Sequence, residues 1–372
     1  MKKFLAMEAR QKKSIITFVL TTLFLLVMNL LSYNGLIGDN ASSLIPLICV
    51  YIIFAISLNL VVGVLGELSL GHAGFICVGG YVGGLFSRMF EDNISSDYVR
   101  IILSFLVSLL VGALFGLLVG AIVLRLNGDY LAVVTLAFGE VVRKIFGELY
   151  VGMDDKGLHV SLISTSAIDN LGENAETFIS GSLGLSKLVK SYRDFNKEGT
   201  ITIIASVLTL VILLLILNYV NSESGRAVMA IRDNRIAAES MGINITKNRL
   251  MVYVFSSAVA AVGGAMYAYC VGSVNPNKYI YDFSIEILVI VVLGGLGSMG
   301  GAVIAAVVLT WLKNSSIFLN FSKYRMVIYA VVLIVMMIVK WNPQCHEFFK
   351  KISPRRFIKS FLQKKRTVKE GE

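Results

Sequence analysis

Charged residues are scarce in this chain. Asp, Glu, Lys and Arg make up 16% of its 372 residues, whereas a soluble domain carries about 25%. Apolar residues make up 56% and prolines number only four. Several apolar runs reach the ~20 residues that a helix needs to cross a bilayer. This composition excludes a soluble globular fold, and an all-α integral membrane protein is predicted.

The chain also lacks the residue spacings that catalysis and metal binding require. Of its three histidines, His72 lies in an apolar run, and His159 and His346 are assigned to opposite sides of the membrane. No pair of its four cysteines has a metal or redox spacing. No nucleophile–base pair stands out, and no G-x-x-x-x-G-K-[ST] motif for ATP binding occurs. The sequence therefore predicts that the chain is not an enzyme and holds neither a metal nor a cofactor.

Acidic residues are outnumbered by basic ones, 24 to 34, which gives a net charge of +10. The basic residues concentrate at both ends and in a central loop. Cytoplasmic retention of basic segments produces this distribution, which does not indicate a nucleic-acid partner. We expect both termini in the cytoplasm, with residues 1–14 as a basic N-terminus. Residues 342–372 form a basic tail that can contact anionic membrane lipid.

Nine apolar runs are candidates for membrane spans. They are Ile15–Leu31, Leu44–Val62, Leu70–Phe90, Val99–Leu124, Tyr130–Tyr150, Ile201–Val220, Leu250–Gly272, Ile285–Leu312 and Met326–Trp341. Two cytoplasmic termini require an even number of spans. The run Ile285–Leu312 is interrupted by the glycine-rich stretch Gly294–Gly301. Splitting it there predicts about ten transmembrane helices, some of them broken or short.

The predicted spans form two halves of a helical bundle, residues 15–150 and 200–341. Between them lies a mixed-charge segment, residues 151–199, with Gly, Ser and Asn turns. Short helices are predicted around Leu183–Tyr192. The alternation of the spans places this insertion outside the cytoplasm, where it is a candidate contact for a soluble partner.

Glycine is abundant in a few stretches of the apolar sequence. Small residues let helices approach closely or break inside the bilayer, although tight packing alone is the simpler explanation. The glycines that we assign to helix breaks are Gly63, Gly66, Gly71, Gly294, Gly295, Gly297 and Gly300. Gly112, Gly116 and Gly120 form a repeated small-residue motif in the fourth span. This motif serves either packing within the chain or contact with a second membrane subunit.

A few acidic residues lie in or beside the apolar runs. Glu140 can pair with Arg143 and Lys144, one turn further along a helix. Glu67 is a polar group at membrane depth, where such groups normally face protein or a cavity. Glu286 is expected near the outer interface, with its carboxylate extended towards water.

The longest polar segment between two apolar runs is Asn221–Lys247. Read as one helix, it carries a single apolar stripe, formed by Ala227, Ile231, Ala238 and Met241. The predicted boundary residues are Ser222 or Ser224 as the N-cap, Gly242 after the last turn, and Thr246 as the cap of the next helix. Such a helix either lies on the membrane surface as a connector or docks on a partner.

Four segments, in order, resemble the M-type permease subunit of branched-chain amino acid ABC importers. They are SLNLVVGVLGELSLGHAGF at 57–75, GDYLAVVTLAF at 128–138, GRA…IR.N..AAE.MGI within 223–243, and VVLGGLGSMGGAVIAA at 291–306. The resemblance runs from about residue 50 to residue 312. It departs from the family pattern in the insertion, where GMDDKGL at 152–158 replaces a Gly-Gly-rich turn.

The resemblance implies the fold of an ABC importer permease in the bacterial cell membrane. The chain would pair with a second, homologous permease subunit as a heterodimer. Two cytoplasmic ATP-binding subunits and an extracytoplasmic substrate-binding protein would complete the importer. Transport would proceed by alternating access, and the cargo would be leucine, isoleucine and valine.

The same resemblance implies that residues 221–247 form a loop that couples the permease to the ATPase. The implied coupling residues are Gly225, Arg226, Arg232, Asp233, Asn234, Ala237, Ala238, Met241 and Gly242. Arginines of this loop would fix the register through charge-assisted bonds. For a mostly apolar translocation path, the candidate lining residues are Asn59, Ser69, His72 and Thr135. These four residues could equally hold helices together.

The motifs leave the cargo and the class of transporter open. Relatives import urea or short amides through similar permeases. A stand-alone secondary transporter or channel is a second class, disfavoured by the amphipathic loop and by the lack of a row of proton-relay carboxylates. A membrane-embedded enzyme is disfavoured by the missing catalytic residues. Heterodimer and homodimer are likewise not separated by these motifs.

Overall fold

The computed structural model describes residues 2–35, 42–91, 93–94, 96–123, 130–154, 157–162, 176–185 and 199–314, together with Val327, Val331 and Ile334. The chain forms two compact units, Met1–Asn320 and Phe321–Glu372. In the second unit, the three described residues are helical and exposed. The rest of the predicted span Met326–Trp341 and the predicted tail, residues 342–372, lie outside the described residues.

Helices account for most of the described chain, as the composition predicts. They are α1 (Lys2–Tyr33), α2 (Leu44–Asn59), α3 (His72–Met89), α4 (Asp97–Val123), α5 (Tyr130–Gly147), α6 (Thr200–Asn221), α7 (Glu223–Asp233), α8 (Arg235–Ser240), α9 (Ile245–Val271), α10 (Tyr281–Gly294) and α11 (Met299–Lys313). A π-helix, Leu60–Leu65, follows α2 directly, and 3-10 turns lie at Gly181–Leu183 and Pro276–Lys278.

Five helical segments of the described chain are long and apolar enough to cross a membrane. They are Gln11–Tyr33, Leu44–Leu65, Asp97–Ile122, Thr200–Asn221 and Ile245–Val271. The predicted run Ile285–Leu312 is two helices, α10 and α11, of 14 and 15 residues. The break between α10 and α11 confirms the predicted interruption in this glycine-rich run. Two other predicted spans correspond to α3 and α5, with 18 residues each.

α2 and the π-helix lie at the centre of the larger unit. Nearly all of their side chains are buried. They contact α6, α9, α10 and α11. Edge-on contacts among the rings of Tyr51, Phe54 and Phe283 join α2 to α10. A helix that is apolar on all sides is typical of a protein core or of a membrane span, and α2 lies among other helices.

The small-residue motif of α4 packs within the chain. A Cβ atom at Gly112 or Gly116 would overlap the side chains of Ala261 or Ser257 on α9. At Gly120 it would lie 2.8 Å from Leu250 Cδ1, which also belongs to α9. Small residues at this spacing let the two helices approach closely. Of the two predicted uses of the motif, packing within the chain is confirmed.

The insertion contains a small antiparallel sheet that the sequence analysis did not predict. Its strands are β1 (Tyr150–Asp154), β2 (Gly157–Ser161) and β3 (Glu176–Ser180), in the order β2-β1-β3. The helices predicted around Leu183–Tyr192 are wrong at Leu185. That residue instead pairs in antiparallel bridges with Ile179 and Val274. The prediction missed this pairing because a local sequence pattern does not show a partner as distant in the chain as Val274. Residues 186–198 lie outside the described chain.

Candidate functional site

The polar segment between α6 and α9 is two short helices instead of the one predicted. Ser222 caps α7, and its hydroxyl accepts a hydrogen bond from Gly225 N at 3.3 Å. α7 ends at Asp233, and the next residue, Asn234, is extended at φ −157° and ψ 106°. The Asn234 side chain accepts a bond from Ala237 N at 3.0 Å and so caps α8. Asparagine is among the best N-cap residues, which accounts for the new helix start.

The single apolar stripe predicted for this segment is divided. Ile231 and Ala238 are buried in a small cluster with Ile245 of α9. Met241 is 81% exposed, and its apolar neighbour Ile236 is 78% exposed. Part of the stripe therefore contributes to the chain's own packing, across the break at Asn234. Met241 is not covered and is exposed, as is Ile236.

The end of the segment differs from the prediction at one residue. Gly242 follows α8 with φ +78°, the left-handed conformation expected after a helix. The next cap is Asn244, whose side chain accepts a bond from Lys247 N at 2.9 Å. Thr246, predicted as the cap, lies inside the first turn of α9. An asparagine two residues earlier provided the same signal.

The residues predicted to couple the chain to a partner fall into two groups. Gly225 and Ala238 are buried, and a Cβ at Gly225 would overlap the carbonyl oxygen of Tyr219. Arg226 donates to Asn221 O at 2.9 Å, within the same segment. The coupling residues on the exposed surface are Arg226, Arg232, Asp233, Asn234, Ala237, Met241 and Gly242. Gly225 and Ala238 therefore pack beneath the exposed residues and are not part of the exposed surface.

Arg232 is partly exposed and points back towards the membrane helices. Its Nε and Nη2 donate to Asp233 Oδ1 at 3.1 and 2.9 Å. Its Nη1 donates to Gly63 O in the π-helix at 2.9 Å. The side chain of Arg232 is thus held by contacts within the chain.

The glycines assigned to helix breaks occupy several kinds of position. Gly66 ends the π-helix with φ +84°, and Gly71 is the residue before α3. Gly295 and Gly297 have φ of +92° and +78° in the loop between α10 and α11, which Gly294 precedes. The other two lie within helical residues: Gly63 is in the π-helix that follows α2, and Gly300 is in the first turn of α11. Close contacts, described below for Gly63, require these two glycines.

Gly63 and Gly297 bring the π-helix against the loop between α10 and α11. A Cβ at Gly63 would overlap both Asn59 Oδ1 and Gly297 N. Asn59 Oδ1 accepts a hydrogen bond from Gly297 N at 2.9 Å. Gly300 approaches α1 in the same way, where a Cβ would lie 2.7 Å from Thr17 Oγ1. We call the contact of Asn59, Gly63 and Gly297 the glycine junction.

The four residues predicted to line a translocation path are all buried: Asn59, Ser69, His72 and Thr135. His72 begins α3, and its Nε2 lies 2.7 Å from Ser57 Oγ on α2. Thr135 Oγ1 accepts from Leu70 N at 3.1 Å. In this conformation Asn59, His72 and Thr135 join neighbouring segments, which is the alternative role given for them above.

Two ion pairs join residues far apart in the described sequence, and neither was predicted as a pair. Glu67, after the π-helix, pairs with Arg249 of α9. Glu286 is buried and pairs with Lys313 Nζ at 2.6 Å, so the expectation that its carboxylate extends to water is wrong. Opposite charges at the ends of neighbouring apolar runs were the available signal. Which runs are neighbours could not be read from the sequence.

Glu140 pairs with Arg143, one of its two predicted partners on α5. Arg143 Nη2 lies 2.8 Å from Glu140 Oε2, one turn away. The other carboxylate oxygen of Glu140 accepts from Tyr281 N at 3.2 Å. Glu140 therefore connects α5 to the start of α10 as well as neutralising a charge.

Comparisons with known proteins find similar transport permeases. The family model described as "Branched-chain amino acid transport system / permease component" matches residues 40–337. The chain is 31% identical over 297 residues to the high-affinity branched-chain amino acid transport system permease protein LivM of Salmonella typhimurium, covering 79% of this chain and 67% of that one. No solved structure matches the chain.

Two further relatives are similar over comparable lengths. LivM of Escherichia coli K12, with the same description, is 29% identical over 329 residues, covering 87% of this chain and 74% of that one. The permease protein LivH of the same transport system in Salmonella typhimurium is 23% identical over 294 residues, covering 78% and 89%. The similarity thus extends to two different permease proteins of one system.

Proposed function

Because this chain belongs to the family of branched-chain amino acid transport system permease components, we propose that it is the transmembrane permease subunit of an ATP-driven importer. Its cargo is leucine, isoleucine and valine, the class named for the relatives LivM and LivH. The observation that carries this proposal is the family match over residues 40–337, which includes the glycine junction and the segment that contacts it.

A separate ATPase binds the chain at α7 and α8. Ile236 and Met241 are large apolar side chains, each more than three-quarters exposed. They lie beside Asp233 and Ala237, which are also exposed. An amphipathic helix with apolar anchors and flanking charges suits a groove on a partner. The charge on Asp233 and Arg226 adds electrostatic complementarity.

The membrane arrangement is about ten spans with both termini in the cytoplasm. Five segments are long and apolar enough to cross, and α3, α5, α10 and α11 supply shorter ones. The basic ends of the chain support a cytoplasmic location for both. The insertion then lies outside the cytoplasm, where its three-stranded sheet offers a contact for a substrate-binding protein.

The translocation path passes beside Asn59, Ser69, His72 and Thr135. In the described conformation the side chains are buried. Opening a path therefore requires the bonds of Asn59, His72 and Thr135 to separate, as alternating access demands. Uptake that is unaltered after replacement of each by alanine would count against this assignment.

A second permease subunit completes the membrane domain as a heterodimer. The chain resembles both LivM and LivH, two permease proteins of one transport system, with the higher identity to LivM. A homodimer is the alternative. Mass measurement of the purified complex distinguishes the two arrangements.

Co-purification tests the proposed class of transporter. Tagged chain, expressed with its neighbouring genes, should bring down a second permease and an ATPase. ATP hydrolysis by that complex should rise when the substrate-binding protein is added. A chain that purifies alone and conducts solute without ATP would be a channel or secondary transporter. ATP hydrolysis that is stimulated by urea or a short amide, and not by leucine, would show that the chain belongs to an ATP-driven importer with a different cargo.

A further inference from the structure

One guanidinium group of α7 bonds to the π-helix and lies close to the loop between α10 and α11. Arg232 Nη1 donates to Gly63 O at 2.9 Å, in the last turn of the π-helix. The same nitrogen lies 3.5 Å from the position of a Cβ on Gly297, in the loop between α10 and α11. The aliphatic part of Arg232 covers Gly66, where a Cβ would lie 2.5 Å from Arg232 Cγ. α7 therefore contacts the π-helix directly through Arg232, and the glycine junction joins the π-helix to the loop between α10 and α11.

The orientation of this side chain is fixed from the other side. Asp233 Oδ1 accepts bonds from both Nε and Nη2 of Arg232. This leaves Nη1 directed at the carbonyl of Gly63. Carbonyls in the last turn of a helix lack intrahelical partners and carry partial negative charge, so a cation is favoured there. The bond is charge-assisted and directional.

The glycine junction joins the two interrupted helices by close contact and hydrogen bonds. Asn59 Oδ1 accepts from Gly297 N at 2.9 Å, and Asn59 Nδ2 lies 3.5 Å from Met299 Sδ at the start of α11. No side chain fits between Gly63 and Gly297. A displacement of the π-helix is therefore transmitted to α11 by backbone contact and hydrogen bonds. Packed elements of this kind shift as units.

We propose that Arg232 is a positioning residue that carries the movement of α7 to both interrupted helices. It acts inside the chain, through Gly63 and the glycine junction, and it does not bind the ATPase. This inference rests on the proposed function, because an ATPase must move α7. The family resemblance implied that Arg232 contacts the ATPase. The proposal assigns it a role inside the chain instead.

The test compares Arg232→Ala and Arg232→Lys with Lys278→Ala in the complete complex. Lys278 is an exposed cation in the turn Pro276–Lys278, outside the coupling segment, and serves as the control. With Arg232→Ala, the ATPase should remain bound and hydrolyse ATP, while leucine imported per ATP falls about tenfold, the effect of losing one charge-assisted hydrogen bond. Arg232→Lys should restore part of the ratio, because an ammonium group can still donate to Gly63 O. Loss of the ATPase from the Arg232→Ala complex, or an unchanged ratio, would overturn the proposal.

A second readout does not depend on the identity of the cargo. Leu296 lies in the loop between α10 and α11 and is 50% exposed. In a Leu296→Cys complex, alkylation of that residue, followed by mass spectrometry, should change rate on addition of ATP. Adding Arg232→Ala should remove this dependence on ATP while hydrolysis continues; the same dependence with and without Arg232 would overturn the proposal. Absence of leucine import by the unaltered complex would count instead against the proposed function.

Discussion

Gly63 and Gly297 each occupy a position where a side chain would overlap a neighbouring segment. At Gly63 a Cβ would overlap the backbone nitrogen of Gly297, and at Gly297 it would lie 3.0 Å from Gly63 O. A backbone atom cannot turn aside as the end of a flexible side chain can. At Gly63 the requirement is for space, since its φ is not in the left-handed region. This distinguishes it from Gly66 and Gly295, where the backbone conformation itself favours glycine.

Gly63→Ala should destabilise the permease by about 1–3 kcal/mol, the usual cost of forcing extra volume into a packed site. Gly147→Ala is the control, because a Cβ there would lie 3.9 Å from Pro276, an ordinary contact. Thermal unfolding of both variants in detergent measures the difference. If the two variants unfolded at the same temperature, the close approach at the glycine junction would be wrong.

The ion pair of Glu286 and Lys313 is a second feature at the scale of residues. Lys313 Nζ donates to Glu286 Oε1 at 2.6 Å and to Tyr51 Oη at 2.7 Å. It also lies 4.9 Å from the centre of the Tyr51 ring. The pair connects α10, α11 and α2. Two charges away from water require each other, so each residue depends on its partner.

Lys313→Met should destabilise the chain by about 3–5 kcal/mol, because it leaves the Glu286 carboxylate buried without its cation. Adding Glu286→Gln should recover a large part of that loss. Unfolding measured across this double-mutant cycle gives the coupling between the two residues. If the effects of the two substitutions on stability were additive, Glu286 and Lys313 would not be coupled.

At the scale of elements, the amphipathic segment shows what a local pattern can predict. Its start at Ser222 and its end before Gly242 follow from capping signals in the sequence and are present in the structure. The division at Asn234 was missed, although asparagine is itself a capping residue. The burial of Ile231 and Ala238 could not be predicted, because Ile245 of the next helix covers them. An apolar stripe on a helix indicates that the stripe is covered, but not whether the same chain or a partner covers it.

Ile236→Ser together with Met241→Ser should weaken ATPase binding by at least about tenfold. Burial of one large apolar side chain contributes about 1.5–3 kcal/mol, and both are lost. The amount of ATPase that co-purifies with the permease measures the effect. Glu239→Gln, also exposed on α8, is the control and should leave co-purification unchanged. Full recovery of the ATPase with the double variant would contradict docking at α8.

At the scale of the whole molecule, the sequence predicts the helical spans well and the contacts between them poorly. Apolar runs of sufficient length and glycine-rich interruptions are local signals, and they place α2, α6, α9 and the gap between α10 and α11. The three-stranded sheet and the bridge of Leu185 to Val274 depend on pairing across the sequence. The same holds for Arg232 and Gly63, which are 169 positions apart.

The larger unit has an arrangement suited to transmitting movement. α7 contacts the π-helix, which continues α2 at the centre of the bundle. α2 in turn contacts α6, α9, α10 and α11. Because α2 is surrounded by these helices, a displacement at its π-helical end would reach most of the described bundle. Rigid elements with discrete arrangements are what an alternating-access transporter needs.

Uptake of labelled leucine into proteoliposomes tests the central claim most directly. The vesicles would contain this chain with its second permease and ATPase, and the substrate-binding protein would be added outside. We expect leucine uptake to require both ATP and the binding protein. Unlabelled valine and isoleucine should compete with it. Leucine entry without ATP, at a rate independent of the binding protein, would contradict the account.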